Sequence, residues 1–190
     1  MILSSPNHMI WQYFEALRRL VNDLAAEQNQ RILKQNVALA ILLSVTVVEA
    51  FVNIFFRVLV SEDGFTNHKR RVLGDLNRRM SLDYKLKTWP KIILGNELNF
   101  EASIPKRFLD LKKRRNSLMH FTSTHGSFQL SRIDIHGLAN TTVFDSLRTT
   151  DAAEALELAE GMICEFFRLR GVTEQQLKHA LHAWTGKVPV

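Results

Sequence analysis

The chain has 190 residues, a length that fits one folded domain or a domain with a terminal appendage. Hydrophobic residues make up 46% and charged residues 23%, which is typical of a globular protein and excludes predominant disorder. The single cysteine, Cys164, excludes an intrachain disulfide and a multi-cysteine zinc site. The formal charge of +6 suits a polyanionic partner such as RNA, although many intracellular proteins are mildly basic.

The first predicted helix begins at Ser5-Pro6, because serine can cap free amides and proline fits the first helical position. It runs to about Gln28. The residues before it lack the basic region and apolar run of a secretory signal. Together with the low cysteine content, this favours a reducing, cytoplasmic location.

The second predicted helix covers roughly residues 31–60 and is so apolar that a membrane span has to be considered. Glu49, Asn53 and Arg57 nevertheless form one polar stripe at spacing i, i+4, i+8. Each charge would cost roughly 2.5–3.5 kcal/mol near the middle of an inserting helix. The pattern therefore favours a soluble central helix whose polar stripe faces a polar site, without a membrane partner.

Residues 61–100 read as a polar connection with short helices, including a basic one over 67–80 and one capped by Ser81. A third long helix is predicted over 104–121. After it, residues 122–148 contain a strand-like alternation, which predicts an extended excursion or a small hairpin.

Two capping-box spacings predict the last helices. Asp151 with Glu154 would open a fourth helix over about 151–170. Thr173 with Gln176 would open a short final helix over about 173–185.

The register of the third helix places an arginine where an apolar residue is expected. Arg115 continues the series formed by Ile104, Phe108, Leu111 and Leu118. A guanidinium at a core position is costly without partners. Arg115 therefore either reaches past the core to water or points into a polar pocket shared with the stripe of the second helix.

His120 lies four residues after Asn116, so these two side chains share a helical face. It lies five residues after Arg115, about 140° around an ideal helix. Convergence of Arg115 and His120 would therefore need a bent arginine, a partner subunit or a relaxed helix end.

The run Leu111–His120, LKKRRNSLMH, resembles the signature of HEPN domains: an arginine, a polar residue, a short spacer and a histidine. Residues 47–53 and 81–86 resemble upstream segments of that family, so the resemblance spans about 30–125. It implies an all-α, antiparallel HEPN-like helical bundle in a single domain over 1–190. The expected core is about 5–121 plus the helix 151–170, with the excursion following the motif helix.

Many HEPN domains are metal-independent RNA endonucleases, often toxins or antiphage effectors, and they commonly dimerise so that two motif helices form a composite cleft. The resemblance thus implies a homodimer acting on RNA, with any antitoxin a separate chain and with no metal or cofactor. Other HEPN members have lost activity and bind nucleotides or protein partners, which is the alternative function. An unrelated helical regulator or membrane-proximal protein is the third hypothesis.

The predicted catalytic residues are Arg115, Asn116 and His120. An imidazole can carry a proton to or from substrate near neutral pH, so His120 suits proton transfer, whereas the guanidinium of Arg115 can bind a phosphate oxygen. Asn116 could orient the imidazole or donate to phosphate.

Glu49 and Asn53 are predicted to support the site. Glu49 could pair with Arg115, or instead with Arg57 or another helix. RNA binding is assigned to Lys112, Lys113 and Arg114, for which the competing interpretation is a solvated basic face.

Overall fold

The fold is all-α, as the sequence predicts. The computed structural model describes residues 5–119 and 141–187, with the backbone of short strands between these ranges. The described helices are α1 (His8–Asp23), α2 (Gln30–Leu59), α3 (Lys69–Asn77), α4 (Leu82–Trp89), α5 (Ser103–Met119), α6 (Thr142–Asp145), α7 (Thr149–Leu169) and α8 (Glu174–Thr185). The strands are β1 (Ser123–Thr124), β2 (Phe128–Leu130), β3 (Ile133–Ile135) and β4 (Leu138–Ala139).

Helix α2 lies at the centre of the bundle and packs against α1, α5 and α7. Its inward face joins an aromatic cluster made of Phe51, Phe55, Phe166, Phe167 and Trp184. By length and composition α2 could also cross a membrane, and half of its most apolar stretch is buried among the other helices. Burial accounts for half of this apolar stretch, because a core helix needs the same composition as a membrane span.

The motif helix α5 packs against both α2 and α7. Its buried residues include Phe108, Leu111 and Leu118, so the predicted core register is confirmed. This packing fixes the rotation of α5 and places Arg115, which continues the same register, at the edge of the core. Arg115 is partly buried.

The ends of α1 differ from the prediction. The helix begins at His8, with Asn7 at the cap position, and ends at Asp23 instead of near Gln28. After Asp23 the amides of residues 25–27 bond to carbonyls three residues earlier, so the chain leaves the helix through tight turns. Asn29 Oδ1 then accepts hydrogen bonds from the amides of Arg31 and Ile32, which open α2. This side-chain cap stabilises the start of the second helix and leaves a short turn before it.

The capping interactions of α4 and α8 follow the sequence signals, whereas that of α7 departs from them. Ser81 Oγ accepts from the Tyr84 amide at 3.3 Å at the start of α4, and Thr173 and Gln176 form the predicted box at the start of α8. The box predicted at Asp151 is displaced, because α7 begins two residues earlier. Asp151 is its third residue, and its carboxylate accepts from the Arg148 amide at 2.7 Å.

The segment after α5 contains the predicted hairpin. Strands β2 and β3 pair antiparallel, with Phe128 opposite Ile135 and Leu130 opposite Ile133. Strands β1 and β4 form a second antiparallel pair outside it. The short helix α6 follows, in a stretch predicted as irregular.

Candidate functional site

Arg115 is held by its neighbour in the motif. Its Nη1 donates to Oδ1 of Asn116 at 3.1 Å. Both residues are partly buried near the end of α5. This bond occupies one edge of the guanidinium and leaves the edge formed by Nε and Nη2 without a partner among the described residues. A free edge of this kind matches the two oxygens of a phosphate or a carboxylate.

Two buried side-chain polar atoms lack a hydrogen-bond partner in the described part of the chain, Asn53 Oδ1 and Arg115 Nε. One is an acceptor on α2 and the other a donor on α5, and the sequence pattern assigned both residues to the same site. An unsatisfied buried polar atom costs about 1–3 kcal/mol. Such atoms are uncommon in folded proteins, so each of these two calls for an explanation beyond folding.

Glu49 does not pair with Arg115. Its Oε1 lies 3.4 Å from Nζ of Lys85 on α4. The lysine is 4% exposed and the glutamate 34%. Of the partners considered from the sequence, another helix is therefore the one that Glu49 uses. The pair fixes α4 against the polar stripe of α2, and within the described part of the chain it leaves Arg115 without a carboxylate.

The three cations predicted to bind RNA each have an acidic partner. Lys112 Nζ lies 2.5 Å from Asp83 of α4, Lys113 lies 2.9 Å from Asp110 one turn earlier, and an Nη2 of Arg114 lies 2.8 Å from Asp151 of α7. These ion pairs connect α5 to its neighbours on both sides. They also reduce the positive charge that this run presents to a polyanion, so Arg115 is the cation of residues 112–115 without a carboxylate partner among the described residues.

The pKa of Asp151 is lowered by its ion pair and hydrogen bonds. Burial raises the pKa of this carboxyl, but the hydrogen bonds from Arg114 and from the Arg148 amide lower it more, so the net shift is downward. The carboxylate therefore stays ionised and serves two helices at once. It caps the first turn of α7 and anchors α5.

His120, the predicted acid–base residue, lies outside the described residues. That His120 shares a helical face with Asn116, and that it comes close to Arg115, both stay predictions. Met119, directly before it, is 55% exposed at the end of α5.

Two contributors to this region were not identified from the sequence. Lys85 occupies the buried face of α4 with Leu82, Leu86 and Trp89, and Asp83 holds Lys112. A lysine inside an apolar helical register is a signal that could have indicated the first of them, because a buried ammonium needs a partner. Asp83 lies in the first turn of the helix capped by Ser81, where an acidic residue is common without any further role.

Comparison of the chain with protein-family models, with curated proteins and with solved structures finds no match. The resemblance of residues 111–120 to the HEPN signature therefore stays a prediction that depends on the motif and its surroundings.

Proposed function

We propose that the chain is a cytoplasmic, metal-independent RNA endonuclease of the HEPN type that acts as a homodimer in a toxin or defence role. One observation carries this proposal: Arg115 is partly buried beside Asn116 and has no carboxylate partner among the described residues, although its three preceding cations all do. A cation kept free of carboxylates at the edge of a core is suited to an anionic ligand.

The reaction needs a base, an acid and a cation that stabilises the charge on the phosphorane. The 2′-hydroxyl of RNA attacks the adjacent phosphorus, the new 2′-O–P bond forms and the P–O5′ bond breaks. His120 would remove the 2′-hydroxyl proton, and the His120 of a second subunit would protonate the leaving 5′-oxygen. The products are a 2′,3′-cyclic phosphate and a 5′-hydroxyl, and DNA is inert because it lacks the nucleophile.

Arg115 would stabilise the charge that develops on the phosphorane. Fixed donors at such a position contribute about 10²–10³ in rate in comparable enzymes. Asn116 accepts from Nη1 and so holds the guanidinium in the free protein. Because Nε is buried, phosphate can reach it only when the side chain turns outward, and that contact would satisfy a donor that is unpaired in the free protein.

The exposed apolar residues support the dimer. Ile32 and Leu39 lie seven residues apart on one face of α2 and are 40% and 49% exposed, and Met119 is exposed at the end of the motif helix. Large apolar side chains left in solvent along one helix favour association with a partner. A second copy covering them would serve the proposed reaction, which takes an acid and a base from two subunits.

The test is cleavage of a labelled oligonucleotide that is DNA except for one ribonucleotide, incubated in EDTA with wild type, His120→Ala and His179→Ala. His179 is an exposed histidine of α8 and controls for loss of an imidazole. Cleavage at the ribonucleotide by wild type and His179→Ala, lost in His120→Ala, supports the proposal. Equal inactivity of all three with an intact fold contradicts it and favours the nucleotide- or protein-binding module.

A further inference from the structure

Unpaired positive charge is concentrated on α3 and the turn that follows it. We define the α3 basic face as Lys69, Arg70, Arg71, Arg78 and Arg79. All five are exposed, and none forms an ion pair within the described residues, in contrast to the cations of α5. A mildly basic protein therefore carries much of its uncompensated charge in eleven consecutive residues.

The packing of α3 explains why these charges stay free. Val72 and Asp75 are the buried residues of this helix, so its opposite side faces solvent. Asp75 is the acidic residue of α3, and it points inward, where its carboxylate accepts a hydrogen bond from Trp89 Nε1 at 3.0 Å. It forms no ion pair with these five cations, although its charge still acts on Arg71, one helical turn before it.

A chain of contacts joins the α3 basic face to the candidate site. Arg71 Nη2 donates to the hydroxyl of Tyr84 on α4 at 3.5 Å. The residue before it, Asp83, holds Lys112 of α5, which lies one helical turn before Arg115. Helix α4 thus lies between the two, and an extended ligand could cover both.

We propose that the α3 basic face binds the phosphate backbone of single-stranded RNA and delivers it to the site at Arg115. This inference rests on the proposed nuclease function for its choice of ligand. The α3 basic face takes the place of residues 112–114 as the main electrostatic contact with RNA, because ion-paired cations release fewer counterions when a polyanion binds. Contacts of this kind read charge and not base sequence, so the binding is sequence-independent.

The experiment measures binding apart from cleavage. Anisotropy of a fluorescein-labelled mixed-sequence 20-nucleotide RNA is titrated with full-length His120→Ala protein over a range of salt concentrations. The titration is repeated with the α3 variant, which is the His120→Ala protein that also carries Lys69→Gln, Arg70→Gln and Arg78→Gln. The matched control carries Arg31→Gln, Arg57→Gln and Lys106→Gln, three exposed cations elsewhere that also form no ion pair among the described residues, with the same change in net charge.

The expected result is that the α3 variant loses about tenfold or more in affinity at low salt and that its salt slope falls by about 2, since each single-strand phosphate contact contributes about 0.7. The control keeps the wild-type affinity within about twofold. Equal losses in both variants, with matching circular dichroism, would assign binding to net charge and overturn the proposal.

Two further outcomes separate it from competing explanations. If RNA does not bind, and vesicles containing 30% phosphatidylserine bind the His120→Ala protein but not the α3 variant, the α3 basic face binds membranes and the RNA assignment is overturned. If RNA binding is lost in the α3 variant but the wild type never cleaves RNA, the binding surface is supported while the nuclease proposal fails.

Discussion

Lys85 Nζ lies 3.4 Å from Glu49 Oε1, and the lysine is almost completely buried while a third of the glutamate is exposed. The ammonium also lies 5.9 Å from the centre of the Trp89 ring. The two ends of this ion pair are thus unequal: removing the carboxylate would leave a buried charge, whereas removing the ammonium would leave a carboxylate that water can still reach.

The asymmetry predicts unequal costs for the two single substitutions. Glu49→Gln should lower the free energy of unfolding by about 2–3 kcal/mol, below the range for fully buried pairs because Glu49 is partly exposed. Lys85→Met, which keeps the apolar stem, should change it by no more than about 1 kcal/mol. Urea unfolding at pH 7 measures both, with Arg19→Gln, which breaks the exposed Arg19–Glu15 pair, as the control.

Asp151 predicts a pH-dependent contribution to stability. Its pKa is lowered in the folded state from the ordinary value of 3.8, since hydrogen bonds from Arg114 and the Arg148 amide outweigh burial. A group with a lowered folded pKa stabilises the fold above its unfolded pKa, and this contribution is lost as the pH falls through the folded pKa.

Asp151→Asn should therefore be less stable than wild type by about 1–3 kcal/mol at pH 7, and the difference should disappear at a pH well below 3.8. Urea unfolding at a series of pH values measures this convergence. Asp63→Asn, at an exposed position in the turn after α2, is the control. A difference that stays constant with pH would mean that the carboxylate acts through shape instead of charge.

The sequence was sufficient for the elements whose burial is one-sided and periodic. The register of Phe108, Leu111 and Leu118 fixed the rotation of α5, and the cap at Ser81 placed the start of α4. Side-chain partners across helices were a different matter, because periodicity along one helix does not say which neighbour lies opposite. The carboxylate of Glu49 was within reach of several cations in principle, and the choice of Lys85 depends on how α4 docks.

The same limit explains the basic residues. In sequence, the cations at 112–114 and those at 69–79 look alike, since both are runs of lysine and arginine. The difference arises from acids that are distant in the chain, Asp83 and Asp151, which meet the first run in the fold. Counting charge therefore pointed to residues 112–114, whereas the α3 basic face holds more cations without a carboxylate partner among the described residues.

Glu160 predicts how the last helix is attached. Its buried carboxylate accepts from Arg18 of α1 at 2.9 Å and from Lys187 beyond α8 at 2.6 Å, and Arg18 also donates to the Thr185 carbonyl at 2.6 Å. Glu160→Gln should destabilise the protein by about 2–4 kcal/mol because two cations lose their common partner. Lys187→Ala should cost no more than about 1 kcal/mol, since this lysine is half-exposed. Thermal unfolding compares the two, and equal costs would contradict a central role for the carboxylate.

The exposed leucine of α2 predicts a change in assembly. The proposed homodimer should elute with a mass near twice the 21.9 kDa of one chain, and Leu39→Glu should convert it to a monomer, because an unpaired charge would enter an apolar contact. Light scattering during size-exclusion chromatography measures the mass. The control is Gln12→Glu, which adds the same charge at an exposed position of α1. A monomeric wild type at micromolar concentration would contradict the two-subunit reaction.

Arg115 predicts a contrast within its own helix. Arg115→Lys keeps the charge but removes the planar fork and the Nε donor, so RNA cleavage should fall by about 10²–10³-fold if the guanidinium stabilises the phosphorane. Lys113→Gln removes a cation two residues away that is already paired with Asp110 in solvent, and it should change the cleavage rate by no more than about twofold. The rates are compared in single-turnover cleavage of the oligonucleotide with one ribonucleotide, with enzyme in excess, so that the chemical step is measured apart from product release.

Equal losses in the two variants would mean that α5 contributes only general positive charge. Full activity of Arg115→Lys would show that the bond to Asn116 orients nothing the reaction needs, because lysine cannot hold Asn116 and present a second donor in the same plane.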